Sequence, residues 1–281
     1  MTSARPIGKT PALSEENYRF LQHQVYQFSG IVLDDSKHYL LESRLLPIVR
    51  SEGLSDLNAL CAALRRPDRT ALRDRIVEAM TTNETLFFRD IHPFDALRDV
   101  ILPGIKSGKS SKSLRIWSAA ASTGQEAYSI AMLVAEGGFE GWQVEILGTD
   151  LSEEVLVKAR EGVYTQLEVN RGLPATKLVR HFTRKGIAWE VQPALRKMVQ
   201  FRQLDLRSSL KSLGKFDVVF CRNVLIYFDV ATKRGILAQI REIMLPESYL
   251  FLGAAETTLN LDERFTRRVI GNAPCYQKTE G

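Results

Sequence analysis

Cysteine is scarce: Cys61, Cys221 and Cys275 are the only three in 281 residues, and no two form a C-x-x-C pair. That spacing argues against a zinc site and a disulfide framework, and fits a reducing cytoplasm. The four histidines do not cluster, so no metal is expected. No apolar run approaches the roughly 20 residues needed to span a bilayer. The first eleven residues are polar with two basic side chains and no hydrophobic stretch. They read as part of a disordered tail, residues 1–12, rather than a secretory signal. A G-x-G-x-x-G fingerprint is missing as well. Gly108-Lys109-Ser110 ends like a phosphate-binding loop, but its first glycine is misplaced and it precedes a strand instead of following one.

What is present describes a globular chain of one large or two ordinary domains, 44% hydrophobic and 25% charged, with a formal charge of +5. That charge favours acidic partners without demanding nucleic acid. The organising stretch is Leu114–Ala135. It predicts a short strand to Trp117, a run of very small residues from Ser118 to Gly124, and an amphipathic helix from Gln125. Small side chains let a nucleotide-like ligand approach the backbone, and a helix N-terminus offers unpaired N–H groups. A second strand, Val144–Thr149, ends in Asp150, an acid placed to accept from ribose hydroxyls.

Residues 14–81 read as helical throughout. Tyr18, Leu21, Val25 and Phe28 recur at helical spacing until Gly30. Asp34-Asp35-Ser36 predicts the cap of a second helix, with Tyr39, Leu40, Leu45, Leu46 and Val49 as its apolar set and Lys37, Arg44 and Arg50 as a basic stripe. Pro47 is awkward inside it. Helices over 57–64 and 70–80 complete a small bundle.

Beyond this, Thr81–Asp90 sets Phe87, Phe88 and Arg89 among polar residues, and a linker keeps two phenylalanines only where it packs. A helix over 93–101 and a flexible basic loop over 106–113 precede the first strand. A helix over 152–160 follows Asp150. Residues 163–183 read as a polar insertion with one helix over 175–182, then short strands over 187–191 and 196–201 around Pro193. Arg202–Leu206 contains a second strand-end acid, Asp205. Phe216–Cys221 is a buried strand running into Arg222-Asn223, a helix spans 230–244, and strands cover 249–252 and both arms of 265–278. Alternating strands and helices imply an α/β fold with a mostly parallel sheet and a ligand above its C-terminal edge.

Three runs carry a family resemblance: TTNETLFFRD at 81–90, RIWSAAASTGQEAYS at 115–129 and FDVVFCRNVLIYF at 216–228. With Gly148–Asp150 and the helical region around Gly30-Ile31, the chain resembles the CheR chemotaxis receptor methyltransferases over nearly its whole length. The resemblance implies a helical N-terminal docking domain at 13–82 and a linker with connecting helix at 83–113. It further implies a class I S-adenosylmethionine-dependent methyltransferase domain of Rossmann-like form at 114–281, with an inserted antiparallel β-subdomain at about 184–201. The implied reaction is methyl transfer to receptor glutamates, giving methyl esters and S-adenosylhomocysteine.

Carried over onto this sequence, Asn83, Thr85 and Arg89 become cofactor contacts, Glu126 holds the methionine end, Asp150 the ribose, and Arg222 and Asn223 line the site. Asp205 and Leu206 match the adenine side, where the family often has Asn; an acid can accept there but not donate. Pro246-Glu247-Ser248-Tyr249 departs from the family's usual Pro-Gly-Gly-like turn, away from the chemistry. Arg89 and Tyr227 are the implied catalytic pair, and Lys37, Arg44 and Arg50 the receptor-docking cations. The resemblance also implies a cytoplasmic monomer recruited to membrane-bound receptor arrays, without membrane insertion, nucleic acid or metal. The compact 184–196 region, with Gly186 as its single glycine and Pro193 where a turn closes, points away from a receptor C-terminal pentapeptide tether. Other methyl acceptors, such as RNA or a small acid, and a non-catalytic scaffold remain alternatives.

Overall fold

The structure is a computed structural model and describes residues 12–279. The chain divides between Thr82 and Asn83 into two compact units. The expected tail at 1–12 falls, but for Ala12, outside the described residues.

Among its described residues the first unit has four α-helices: α1 (Glu15–Ser29), α2 (His38–Ser51), α3 (Leu57–Leu64) and α4 (Thr70–Met80). Ser14 caps α1 by accepting from the Asn17 N–H, and Gly30 ends it in the left-handed region at φ 75°. Asp56 caps α3 in the same way. Tyr18, Leu21 and Val25 of α1, Leu41, Leu45 and Ile48 of α2, Leu60 of α3 and Ile76 of α4 are all buried. Two expectations change here. Tyr39 is 68% exposed and lies off the buried face of α2. The cations do not form one stripe: Lys37 sits in a short turn before α2, paired with Asp34 at 3.0 Å. Arg50, six residues after Arg44, is rotated from it by about 120° at 3.6 residues per turn. The Arg44 guanidinium donates to the carbonyls of Met80 and Thr81, both at 2.7 Å, and so closes the C-terminus of α4.

The second unit opens with α5 (His92–Ala96) and α6 (Leu102–Gly108), joined through a π-helical turn at Leu97–Ile101. Lys106–Gly108 is therefore helix, not loop. Then follow β1 (Ser113–Ala119), α7 (Gln125–Glu136), β2 (Gln143–Asp150), α8 (Glu153–Glu161), β3 (Val163–Thr165), α9 (Gln166–Asn170), α10 (Ala175–His181), β4 (Phe182–Lys185), β5 (Ala188–Val191), α11 (Pro193–Arg196), β6 (Val199–Gln203), β7 (Phe216–Cys221), α12 (Val230–Ile243), β8 (Met244–Leu252), β9 (Phe265–Ile270) and β10 (Ala273–Lys278).

The main sheet has the order β6-β2-β1-β7-β8-β10-β9 and is parallel except for β10. This order fits the sheet that the resemblance to class I methyltransferases implies. Neighbouring residues on β1 and β7 serve opposite layers, as the period-2 pleat requires. Ile116, Val218 and Phe220 join Phe94, Ile130 and Leu133 on one face. Trp117 and Val219 join Leu237 and Ile240 on the other. Strand order reverses between β1 and β7, which opens a crevice at their C-terminal ends.

The second sheet is antiparallel, in the order β3-β5-β4. It spans 163–191 rather than 184–201. Pro193 begins a helical turn instead of closing a hairpin, because its fixed φ suits a first helical position. The strand expected over 196–201 starts at Val199 and pairs with β2 in the main sheet. Lys185 pairs with Ala188, so Gly186-Ile187 is a two-residue turn, with Gly186 at φ 62°.

Candidate active site

The small-residue loop after β1 is built by positive-φ turns at Ala120, Ser122 and Gly124. A Cβ on Gly124 would stand 3.0 Å from Ala159 Cβ and 3.1 Å from the Phe201 ring, so glycine is required. The loop is tied to the end of β2. Ala121 N donates to Thr149 O, and Ser122 N donates to Asp150 Oδ2, each at 2.8 Å. Asp150 Oδ1 also accepts from Ser152 N at 3.0 Å. Ser122 Oγ reaches Asn83 O at 2.7 Å, which brings the segment after Thr82 to the strand ends.

That segment packs as its phenylalanines demand. Phe87 meets Tyr164 and Phe182 edge-on, Phe88 meets Phe94, and Phe88 N donates to Ser129 Oγ at 3.0 Å. Tyr164 is wholly buried and donates to Thr123 O, and burial pushes its hydroxyl well above its ordinary pKa.

At the switch point a row of charges crosses the crevice. Glu126, in the first turn of α7, accepts from Ser118 Oγ at 2.8 Å and from Arg222 Nη1 at 3.0 Å. Arg222 Nη2 donates to Asp90 Oδ2 at 2.7 Å and to Arg89 O at 2.9 Å. The Arg222 side chain is 2% exposed, yet its Nε has no hydrogen-bond partner among the described residues. A buried guanidinium is stable only when paired, so this row links the 83–90 segment, α7 and β7. Cys221 beside it is no nucleophile: burial, then the charges of Glu256 and Glu126, raise its thiol well above the usual value.

Asp205 follows β6, with Leu206 buried beside it. Its carboxylate accepts the Arg207 side chain at 2.6 Å through Nη2 and at 3.0 Å through Nε. The acid thus arrives already paired with a guanidinium, which takes up part of its accepting capacity. Asn223 stands in the left-handed region at φ 59°, which its short amide side chain tolerates. Tyr227 ends a 3-10 turn, Leu225–Tyr227. The side chains of Asn83, Thr85, Asn223 and Tyr227 have no hydrogen-bond partner among the described residues and are half-buried. Lys37, Arg44 and Arg50 belong to the first unit. No group of three or more His, Cys, Asp or Glu among the described residues could hold a metal.

Residues 83–271 match the family model of the CheR methyltransferase SAM-binding domain, and residues 16–81 match that of the CheR all-alpha domain. The chain belongs to the CheR methyltransferase family. It is 46% identical over 244 residues to chemotaxis protein methyltransferase 1 of Pseudomonas aeruginosa, covering 84% of this chain and 88% of that one. A chemotaxis protein methyltransferase of Pseudomonas putida is 41% identical, with 90% and 95% covered. That of Escherichia coli is 36% identical, with 95% and 96% covered. This CheR chain is a methyltransferase that uses S-adenosylmethionine. The orphaned, buried Nε of Arg222 and the four unpartnered polar side chains fit such a group in the crevice. No helix among the described residues is long and apolar enough to cross a membrane.

Ser118, Ser122, Asp90, Arg207 and Glu256 escaped the sequence reading. Ser118 and Ser122 lie inside the small-residue run, where size was the signal and the hydroxyl was not. Asp90 ends a quoted motif, and its part becomes visible only when Arg222 is folded against it.

Proposed function

We propose that this enzyme methylates glutamate side chains on the cytoplasmic methylation helices of chemoreceptors, producing glutamate methyl esters. The observation that carries this reading is the Glu126–Arg222–Asp90 row, which locks the TTNETLFFRD segment and the CRNVLIYF segment onto one crevice. S-adenosylmethionine supplies an electrophilic methyl group on its sulfonium. Asp150 would take the ribose hydroxyls, and Glu126 with Arg222 the charged methionine end. Asn83, Thr85 and Asn223 would line the donor, with Asp205 and Leu206 toward the adenine.

A glutamate acceptor is ionised at neutral pH and needs no base. Its attack on the methyl cancels one negative and one positive charge, so alignment and exclusion of water favour it. Arg89 suits the incoming carboxylate because neither neighbouring acid neutralises it. Glu84 pairs with Arg171, Asp90 pairs with Arg222, and the Arg89 guanidinium donates only to Glu84 O among the described residues. Tyr227 offers a hydroxyl without a protein partner to the same carboxylate.

Lys37, Arg44 and Arg50 would meet acidic receptor helices. The two-residue turn at Gly186-Ile187 gives the small sheet no extended loop, so the enzyme docks by direct contact, as a cytoplasmic monomer at receptor arrays without a pentapeptide tether. Receptor fragments, RNA and small acids incubated with labelled donor test the substrate. Label on mapped receptor glutamates is expected; label on RNA or small acids alone overturns the reading. Arg89→Ala should slow turnover more than Tyr227→Phe, since it removes a charge as well as donors, and near wild-type turnover of the Arg89 variant removes Arg89 from the chemistry. Calorimetry should show no binding of free receptor-tail pentapeptides, and micromolar binding would restore the tether.

A further inference from the structure

The loop that carries Asn223 and Tyr227 closes around one carboxylate. Glu256 follows β8, and its Oε2 accepts the backbone N–H groups of Gly253 at 2.7 Å and Asn223 at 2.8 Å. Its Oε1 accepts those of Val224 at 2.9 Å and Ile226 at 3.2 Å. The left-handed Asn223 and the turn after it point three N–H groups of one loop into a single concavity, which is an anion-binding arrangement of backbone. Here the anion is part of the chain. The end of β8 is shaped for this approach: a Cβ on Gly253 would stand 2.7 Å from both Glu256 Oε2 and Asn223 Nδ2.

We infer that Glu256 is a positioning residue for methyl transfer. It fixes the backbone of 222–227 and so sets where the Asn223 and Tyr227 side chains stand at the crevice. It touches neither donor nor acceptor and acts through the loop. This inference rests on the reading of Asn223 and Tyr227 as site residues.

The full-length chain carrying Glu256→Gln tests it. Glutamine keeps the shape but turns an NH2 donor toward two of the four N–H groups, leaving them without an acceptor. Amide hydrogen exchange within residues 223–226 should accelerate at least about tenfold, at 223 or at the 224 and 226 pair according to which oxygen is replaced, while β1 and β2 stay protected. The kcat for receptor methylation should fall at least about tenfold, with the KM for the donor changing far less. Glu256→Gln/Tyr227→Phe should be no slower than Glu256→Gln alone, because residues acting as one unit are not additive. Unchanged exchange at 223–226, an unchanged kcat, or multiplying effects in the double variant would each overturn the inference. Should Glu256→Gln fail to fold, Gly253→Ala must reproduce the local exchange and kcat signature, and its absence overturns the inference too. The exchange measurement needs no receptor. A wild-type protein that left receptor glutamates unmodified would therefore overturn the proposed substrate without touching the exchange result.

Discussion

Two glutamates at the strand ends, Glu126 and Glu256, hold their surroundings in different ways. Glu126 takes its bonds from side chains, Ser118 Oγ and Arg222 Nη1. Glu256 takes four from backbone N–H groups. Side-chain partners can turn by a rotamer when a charged ligand arrives, whereas backbone partners fix the path of the chain. The first arrangement suits a group that meets ligand and the second suits a frame.

The largest effect that sharpens this contrast is expected at Arg222. Arg222→Met removes the cation between Glu126 and Asp90 and leaves buried charge uncompensated, at a cost of about 3–5 kcal/mol. Urea unfolding measures it. Adding Glu126→Gln should recover part of the loss, since the stranded charge is then gone. A loss below about 1 kcal/mol would mean that the row is screened by solvent and that Glu126 is no more tightly coupled than a surface ion pair.

Asp150→Ala is next. Hydrogen bonds to a charged group contribute about 1.5–3 kcal/mol, so S-adenosylhomocysteine affinity should fall by that amount in calorimetry. Part of the effect will come through the loop, because Ser122 N loses its acceptor. An unchanged affinity would take Asp150 out of the site and leave it, like Glu256, a frame residue.

Legibility in the sequence followed the range of the forces. α3, α4 and β7 fall at their expected bounds, since periodicity and caps are local signals. The small sheet was misplaced because Val199–Gln203 is a short strand of alternating apolar and polar residues whose partner, β2 or β5, is a choice made by tertiary packing. For the candidate site, motif residues such as Asn83 and Arg222 could be nominated through resemblance. Glu256 could not, because its four N–H partners have no sequence signature and three of them lie about thirty residues away. The roles of the first unit's cations were hidden for the same reason: spacing gives a helix face, not what a guanidinium bonds to.

Arg44 repeats the Glu256 design with the sign exchanged, since its guanidinium gathers carbonyls of Met80 and Thr81. Arg44→Ala should therefore destabilise the helical unit by about 1–2 kcal/mol, seen as a lower urea midpoint. A midpoint equal to wild type would show that water replaces those bonds at no cost.

This makes Arg44 a poor probe of docking, because any receptor effect of its reversal is mixed with a structural one. Arg50 separates the two. It is exposed on the last turn of α2, and no hydrogen bond or ion pair holds its side chain among the described residues. Arg50→Glu should leave unfolding within about 0.5 kcal/mol of wild type. If acidic receptor helices meet this cation, the same variant should raise the KM for receptor, most strongly at low salt where a Debye length of roughly 10 Å or more lets exposed charges act. Affinity for S-adenosylhomocysteine should not change. A receptor KM that stays at the wild-type value at every ionic strength would make Arg50 an ordinary solvated side chain and move the docking surface elsewhere.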